Sequence, residues 1–145
     1  MPELTNLLTF TRAQCLQLLA DGDVGRVVFA MGAMPAIQPV NYVLIGHEVF
    51  FRTANGAKLA AATRNSVVAF EIDEIDRQDR RGWSVVGVGP CREVTDATEL
   101  AGATPHLPEP WISDHTGHTI AIELEQISGR RITLAGGITA DLYTA

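Results

Sequence analysis

Val49-Phe50-Phe51-Arg52-Thr53-Ala54-Asn55-Gly56-Ala57-Lys58-Leu59-Ala60 passes from a strand pattern, through a tight Asn-Gly corner, into an Ala-rich helix pattern that runs to about Arg64 and is ended by Asn65. The strand has a partner on its N-terminal side. Ile45-Gly46-His47-Glu48 reads as a hairpin turn, so 49–53 returns along a strand from Ala36 to about Ile45. Pro39 interrupts that strand; having no N–H to give to a ladder, it predicts an edge or a bulge there. Met31-Gly32-Ala33-Met34 forms another turn, preceded by the β-branched run Val24-Gly25-Arg26-Val27-Val28-Phe29-Ala30. Ahead of it Thr11-Arg12-Ala13-Gln14 fits a capping box for a short helix over about 12–20, stopped by Gly22.

The same alternation continues downstream. Val67 to Asp73 reads as a half-buried strand, Glu74 to Gly82 as a charged loop, and Trp83 to about Val94 as a long strand bent or bulged near Gly87, Gly89 and Pro90. Asp96-Ala97-Thr98-Glu99 predicts a helix over about 97–102, residues 104–118 a loop, and Thr119 to Glu125 a further strand. Gly129-Arg130-Arg131-Ile132 ends the ordered pattern, and a small-residue tail follows. Six or so strands joined mostly by short turns, with two or three short helices, give a mainly β (α+β) chain: a closed or nearly closed antiparallel barrel.

Composition narrows what such a barrel does. At 145 residues and 15.6 kDa the chain is expected to be a single domain over 1–145, with an ordered core of about 10–133. Eleven basic against seventeen acidic residues leave a net charge of −6, which argues against general nucleic-acid binding. A small anionic ligand remains open, since it needs only a local positive pocket. No apolar run reaches the roughly 18 residues of a membrane helix, and Met1-Pro2-Glu3-Leu4 does not start a signal peptide. Cys15 and Cys91 are far apart with no CxxC, so a reducing cytoplasm is expected. Ten of the eleven basic residues are Arg, a bias suited to a GC-rich genome, and Lys58 is the only lysine.

That lysine stands in the first turn of a helix, where free N–H groups and the dipole already favour an anion and a cation alone is mildly unfavourable. Arg52 and Thr53, at the strand end, reach toward the same point. Two cations, a hydroxyl and helix amides describe a phosphate pocket; the alternative is that Lys58 and Arg52 are ordinary solvated charges. Beside Pro39, backbone groups left unpaired can meet the edge of a flat heterocycle, or simply belong to an edge strand with Tyr42 half buried. His106, His115 and His118 share a loop with Asp114, but the rest of a zinc pattern is missing, so no metal is expected. No P-loop, G-x-S-x-G or dinucleotide fingerprint is present.

The order Gly25-Arg26-Val27-Val28-Phe29, Pro39-Val40-Asn41-Tyr42, Phe51-Arg52-Thr53 with Gly56-Ala57-Lys58-Leu59, Phe70-Glu71-Ile72-Asp73, Trp83-Ser84-Val85-Val86 and Ser128-Gly129-Arg130-Arg131-Ile132 resembles the pyridoxamine 5′-phosphate oxidase-like superfamily over about residues 10–133. The nearest branch is the small flavin-binding split-barrel group that includes nitroimidazole-resistance proteins. The resemblance implies a six-stranded split β-barrel that forms a homodimer with two FMN sites at its interface. It further implies that Pro39, Val40, Asn41 and Tyr42 lie along the isoalloxazine, that Phe51, Arg52 and Thr53 border the flavin, and that Lys58 holds the phosphate. Trp83, Ser84 and Val85 then contact the cofactor, from the partner subunit if the dimer is of that kind, and Trp111 completes the pocket. FMN is the implied cofactor and F420 the alternative. The implied activity is that of a flavin-dependent oxidoreductase on a small molecule, with catalytic side chains unassigned; Tyr42 and His115 are the acid–base candidates. The alternatives are a non-catalytic flavin- or haem-binding module, and a structural dimer with a degenerate pocket. No C-terminal segment for gripping pyridoxal phosphate is recognisable, so vitamin B6 oxidation is not implied.

Overall fold

The structure, a computed structural model, describes residues 8–53, 59, 63–108 and 117–133. Helix α1 (Arg12–Asp21) begins at the expected capping box: Thr11 Oγ1 accepts from Gln14 N at 3.2 Å and Gln14 Oε1 accepts from Thr11 N at 2.8 Å. Strands β1 (Val24–Met31), β2 (Met34–Ile45) and β3 (Glu48–Thr53) form two hairpins closed by Met31 opposite Met34 and Ile45 opposite Glu48. Leu59 and Thr63 are helical, and Asn65 adopts a left-handed φ of 56°, which ends that helix where the sequence places its stop. Strands β4 (Val67–Asp76) and β5 (Arg81–Glu93), helix α2 (Ala97–Ala103), a 3-10 turn (Thr104–His106), β6 (His118–Glu123) and β7 (Gln126–Thr133) complete the described elements.

The neighbour order β4-β1-β2-β3-β6-β5 closes on itself because β4 also pairs with β5, and every pairing is antiparallel. The expected six-stranded ring is thus present, with its last strand broken in two. Cys91 faces Ile122 and Val88 faces Gln126, so β5 spans that interval with two intervening residues while the other chain uses three. One residue more on one side is a bulge, which bends the strand so that β7 leaves β6 and follows β5 further along.

Two sequence expectations need correction. Residues 74–82 are not a loop: β4 runs to Asp76 and β5 starts at Arg81, with Asp76 Oδ1 accepting from the N–H groups of Gln78 (2.9 Å) and Asp79 (3.2 Å) to turn the chain between them. The charges there sit on two paired strands that project from the ring, so no apolar alternation marks them. The sequence reading also gives no strand over 126–133, where β7 lies; Gly129 and two consecutive arginines hide its period.

Alternate residues point into the ring. Val27, Val40, Tyr42, Phe51, Phe70, Val85, Ile120 and Ile122 form one buried cluster, which Cys15 and Leu19 of α1 and Leu59 join from outside the strands. A side chain of this size contributes about 1.5–3 kcal/mol when fully buried. On the other face of β3 and β6, Phe50 and Ala121 pack with Val94, Ala103 and Leu107, which seats α2 and the 3-10 turn.

Candidate functional site

Strand β2 changes partner along its length. It pairs with β1 from Met34 to Asn41 and with β3 only from Tyr42 to Ile45. Tyr42 N–H donates to Asp23 O at 3.0 Å, so even-numbered residues of β2 turn their backbone groups toward β1. Odd-numbered residues therefore turn theirs to the other side, which no described strand covers before Tyr42. Ile37 and Asn41 present N–H groups there, and residues 35, 37 and 39 present carbonyls; Pro35 and Pro39 have no N–H to present. The expected edge at Pro39 is this opening between β2 and the end of β3.

The expected residues fall into distinct places around it. Pro39 and Asn41 lie on the outer face, whereas Val40 and Tyr42 point into the core. Tyr42 is 2% exposed, its hydroxyl donates to Leu19 O at 2.6 Å, and burial, with Asp23 and Asp21 adding to it, pushes its pKa up to about 12. A phenol held this way anchors α1 to the ring and has no proton to offer a substrate. Tyr42→Phe leaves the Leu19 carbonyl with only the Gly22 N–H, at 3.3 Å, and is expected to cost about 0.5–1.5 kcal/mol in urea unfolding. The raised pKa sets a second expectation. An unfolded tyrosine ionises near pH 10, and the folded one resists until about 12, so wild-type stability falls as pH rises from ~10 to ~12 and the Phe variant lacks that part of the fall.

Phe51 is buried in the core. Arg52 points to the opposite face of β3, where Nη2 donates to Pro108 O at 2.6 Å and Nε, buried, has no hydrogen-bond partner among the described residues. Thr53 sits at the rim of the opening, its Oγ1 accepting from Gln38 Nε2 at 3.2 Å. Trp83, Ser84 and Val85 lie on β5, which stands across the six-strand ring from β2. Val85 is core, Ser84 faces outward, and Trp83 lines a cavity of about 550 Å³ with Phe10, Leu18 and Arg131. One chain does not bring the β5 group to the β2 opening. Lys58 and Trp111, with the Asn55-Gly56 corner and His115, lie outside the described residues.

Beside Thr53 the fold gathers side chains that the sequence reading does not place at this site. Gln38, His118 and Glu93, with Thr53, occupy ring-facing positions where the interior turns polar at the rim. Thr53 is paired with His118 across β3 and β6, and His118 Nδ1 meets Glu93 Oε2 at 3.1 Å. The sequence places His118 in a loop and gives no signal of its pairing; β6 begins one residue earlier than Thr119 and puts it on the strand.

The outer face of β2, β1, β4 and β5 is apolar for a surface. Ile37, Val28, Ala69 and Val88 form one cross-strand row, with Ile37 65% exposed and Val67 70% exposed nearby. The next row carries Pro39, Arg26, Glu71 and Val86, where Arg26 Nη1 reaches Glu71 at 2.9 Å and Asp73 at 2.8 Å. Burial, with Asp73 beside it, pushes Glu71 up to about 7 in spite of Arg26.

Known proteins share this frame. An uncharacterized protein of Mycobacterium tuberculosis, Rv0080, is 41% identical over 126 residues, covering 83% of this chain and 82% of that protein. The FAD binding protein of Mycobacterium smegmatis has a TM-score of 0.71 at 33% identity, covering 88% of this chain and 98% of that one. A Bacteroides thetaiotaomicron structure, described provisionally as a 5-nitroimidazole antibiotic resistance protein, has a TM-score of 0.65 at 15% identity and covers 85% of this chain and 87% of its own, a likeness of fold alone. Among the described residues no helix is long and apolar enough to cross a membrane. The family model for pyridoxamine 5′-phosphate oxidase matches residues 11–131, the span from the α1 cap through β7, and the chain belongs to that family.

Proposed function

We propose that this chain binds a flavin along the open edge of β2 and, as a homodimer, works as a flavin-dependent oxidoreductase on a small molecule, with FMN as the cofactor and F420 as the alternative. The open edge carries the reading: a half-strand whose Ile37 and Asn41 N–H groups and carbonyls at 35, 37 and 39 face away from β1 and are covered by no described strand, running toward a threonine and a stretch that holds the only lysine of the sequence. The residues present fit such a ligand. A flat heterocycle has donors and acceptors along its rim that this backbone matches, and Arg52 keeps a buried N–H without a partner among the described residues. The Mycobacterium smegmatis relative is a FAD binding protein, which supports a flavin in the same frame.

A bound flavin supplies the redox chemistry, since its N5 accepts or donates hydride. The chain supplies binding and orientation. Ile37 and Asn41 donate to the ring edge, Pro39 offers its carbonyl, and the backbone of Val40, Tyr42 and Phe51 sets their spacing. Thr53, Arg52 and Lys58 hold the anionic tail, and Trp111 closes the pocket. Trp83 and Ser84, held by the backbone of the buried Val85, reach the ligand from a second copy, because β5 and β2 lie on opposite walls of one ring. The apolar row through Ile37, Val28, Ala69 and Val88 adjoins the open edge and suits cover by that copy. The free, buried Cys15 and Cys91 fit a single flavin-binding domain working in a reducing cytoplasm.

Fluorescence titration tests the reading. Lys58→Ala is expected to weaken FMN binding by about 1.5–3 kcal/mol, the range for a hydrogen bond to a charged group. Arg52→Ala is expected to weaken it less, since that guanidinium is partly committed to Pro108. An unchanged affinity in Lys58→Ala puts the phosphate elsewhere. Turnover of the yellow protein with a reduced nicotinamide or F420 donor separates an oxidoreductase from a flavin carrier.

A further inference from the structure

We infer that the cavity between α1 and the β4–β5 hairpin is a substrate pocket that takes small ring-bearing cations, amines above all, and turns anions away. The substrate role rests on the flavin reading above, by which Trp83 borders the flavin of a second copy. The choice of charge stands on the cavity itself.

The inner face of the sheet continues past the rim of the ring. There Glu74 of β4 pairs with Trp83 of β5, and Trp83 with Arg131 of β7, one row beyond the buried row of Ile72, Val85 and Gly129. Leu18 of α1 and Phe10 ahead of it flank this row and leave a space of about 550 Å³. That volume suits one small molecule. Its floor is apolar: Phe10, Leu18 and Trp83 pack against the core of the ring yet stay part-exposed. A half-exposed indole and phenyl ring beside open space suit a flat ring.

Charge decides which ring. Glu74, Asp76 and Asp79 line the cavity against Arg81 and Arg131. A second space of about 420 Å³ shares Leu18, Glu74 and Trp83 with it and adds Asp21, Asp23 and Asp73. Six carboxylates thus surround two guanidiniums, and an excess of negative charge remains even after Arg26 is set against Asp73, 2.8 Å away. Arg131 is also turned aside, its Cζ 5.5 Å from the centroid of the Phe10 ring. Apolar walls focus the field of such an excess, which concentrates cations in the cleft and depletes anions. Glu74 and Trp83 are direct cross-strand partners, whose Cβ atoms stand about 4.5–5.5 Å apart. One ligand can therefore lay its ring on the indole and set its ammonium against the Glu74 carboxylate. The same field repels the phosphate of a flavin, which keeps cofactor and substrate in separate places.

The probes are proflavine, a flat tricyclic cation, and 9-anthracenecarboxylate, an anion of similar shape. Each is titrated calorimetrically into the full chain, first without flavin and then with saturating FMN, with thermal midpoints as a check on folding. Wild type is expected to prefer proflavine by about tenfold or more, and FMN is expected not to displace it. The exposed pair Glu74→Gln with Asp79→Asn is expected to bring that preference down by about tenfold. Glu125→Gln, an exposed carboxylate outside the cavity, is expected to leave it unchanged, and Trp83→Leu to weaken both probes together. Equal binding of the two probes, a preference for the anion, or a preference that survives the double variant overturns the selection of cations. Proflavine displaced one for one by FMN, or binding untouched by Trp83→Leu, overturns the cavity as its place. A chain that binds proflavine as expected but no FMN overturns the flavin reading, and the substrate role with it.

Discussion

Gly89→Ala is expected to destabilise the protein by about 3 kcal/mol or more, the upper end for forcing an atom into a packed interior. A Cβ at residue 89 runs into the carbonyl oxygen of Glu123, with Glu123 C at 2.8 Å and Glu125 N at 3.2 Å. These are main-chain atoms of the bulge between β6 and β7, and they are pinned. Leu124 N–H donates to His47 O and Glu125 N–H to Val88 O, each at 3.0 Å. Room for a methyl group comes only from opening the ring where β5 changes partner from β7 to β6. Gly87 is the internal comparison. A Cβ there meets only the side chain of Leu124, at 2.7 Å from Cδ2, which can change rotamer, so Gly87→Ala is expected to cost less. Urea unfolding of both variants measures the difference. Equal costs contradict the bulge geometry.

Phe70→Ala is expected to cost about 3–5 kcal/mol, the range for removing a fully buried aromatic ring. The ring is 0% exposed and stands edge-on to Tyr42, centroids 4.8 Å apart with an interplanar angle of 73°. It also covers Gly25, whose missing side chain is what lets β1 lie over it; a Cβ there collides with the ring. With a glycine facing the gap, no neighbouring side chain from β1 fills the cavity. The edge contact with Tyr42 adds about 0.5–1.5 kcal/mol beyond area alone. Because Tyr42 belongs to β2, the open edge loosens with it, and FMN affinity is expected to fall in parallel with stability. A loss under about 1 kcal/mol in urea unfolding contradicts this account of the core.

The parts of this chain that were legible are those in which a local pattern carries the whole instruction. The Thr11–Gln14 box, the stop at Asn65, the two short hairpins and the edge at Pro39 all follow from rules that act within a few residues. The hairpin at 76–81 was not legible, because its strands run out past the ring and show charge on both faces. Strand β7 was not legible either, since its pairing with β5 depends on a bulge that only the facing strand's register reveals. The candidate site divides the same way. Pro39 marked the open edge because proline's missing N–H is a local fact. Gln38, His118 and Glu93 come together only when β2, β3, β6 and β5 close, and no spacing in the sequence encodes that meeting. The resemblance to the split-barrel family supplied the likeness of Trp83 and Pro39 as site residues. The ring then shows that one chain holds them on opposite walls, which is why the reading needs two copies.

The most direct test of the whole account is a crystal structure of the protein grown with saturating FMN. The expected density places the ring system along residues 35–41 of β2, its phosphate by Thr53 and Lys58, and Trp83 of a second copy against it. FMN seated instead in the cavity of Phe10, Leu18 and Trp83 within one chain, with the β2 edge left to solvent, contradicts it.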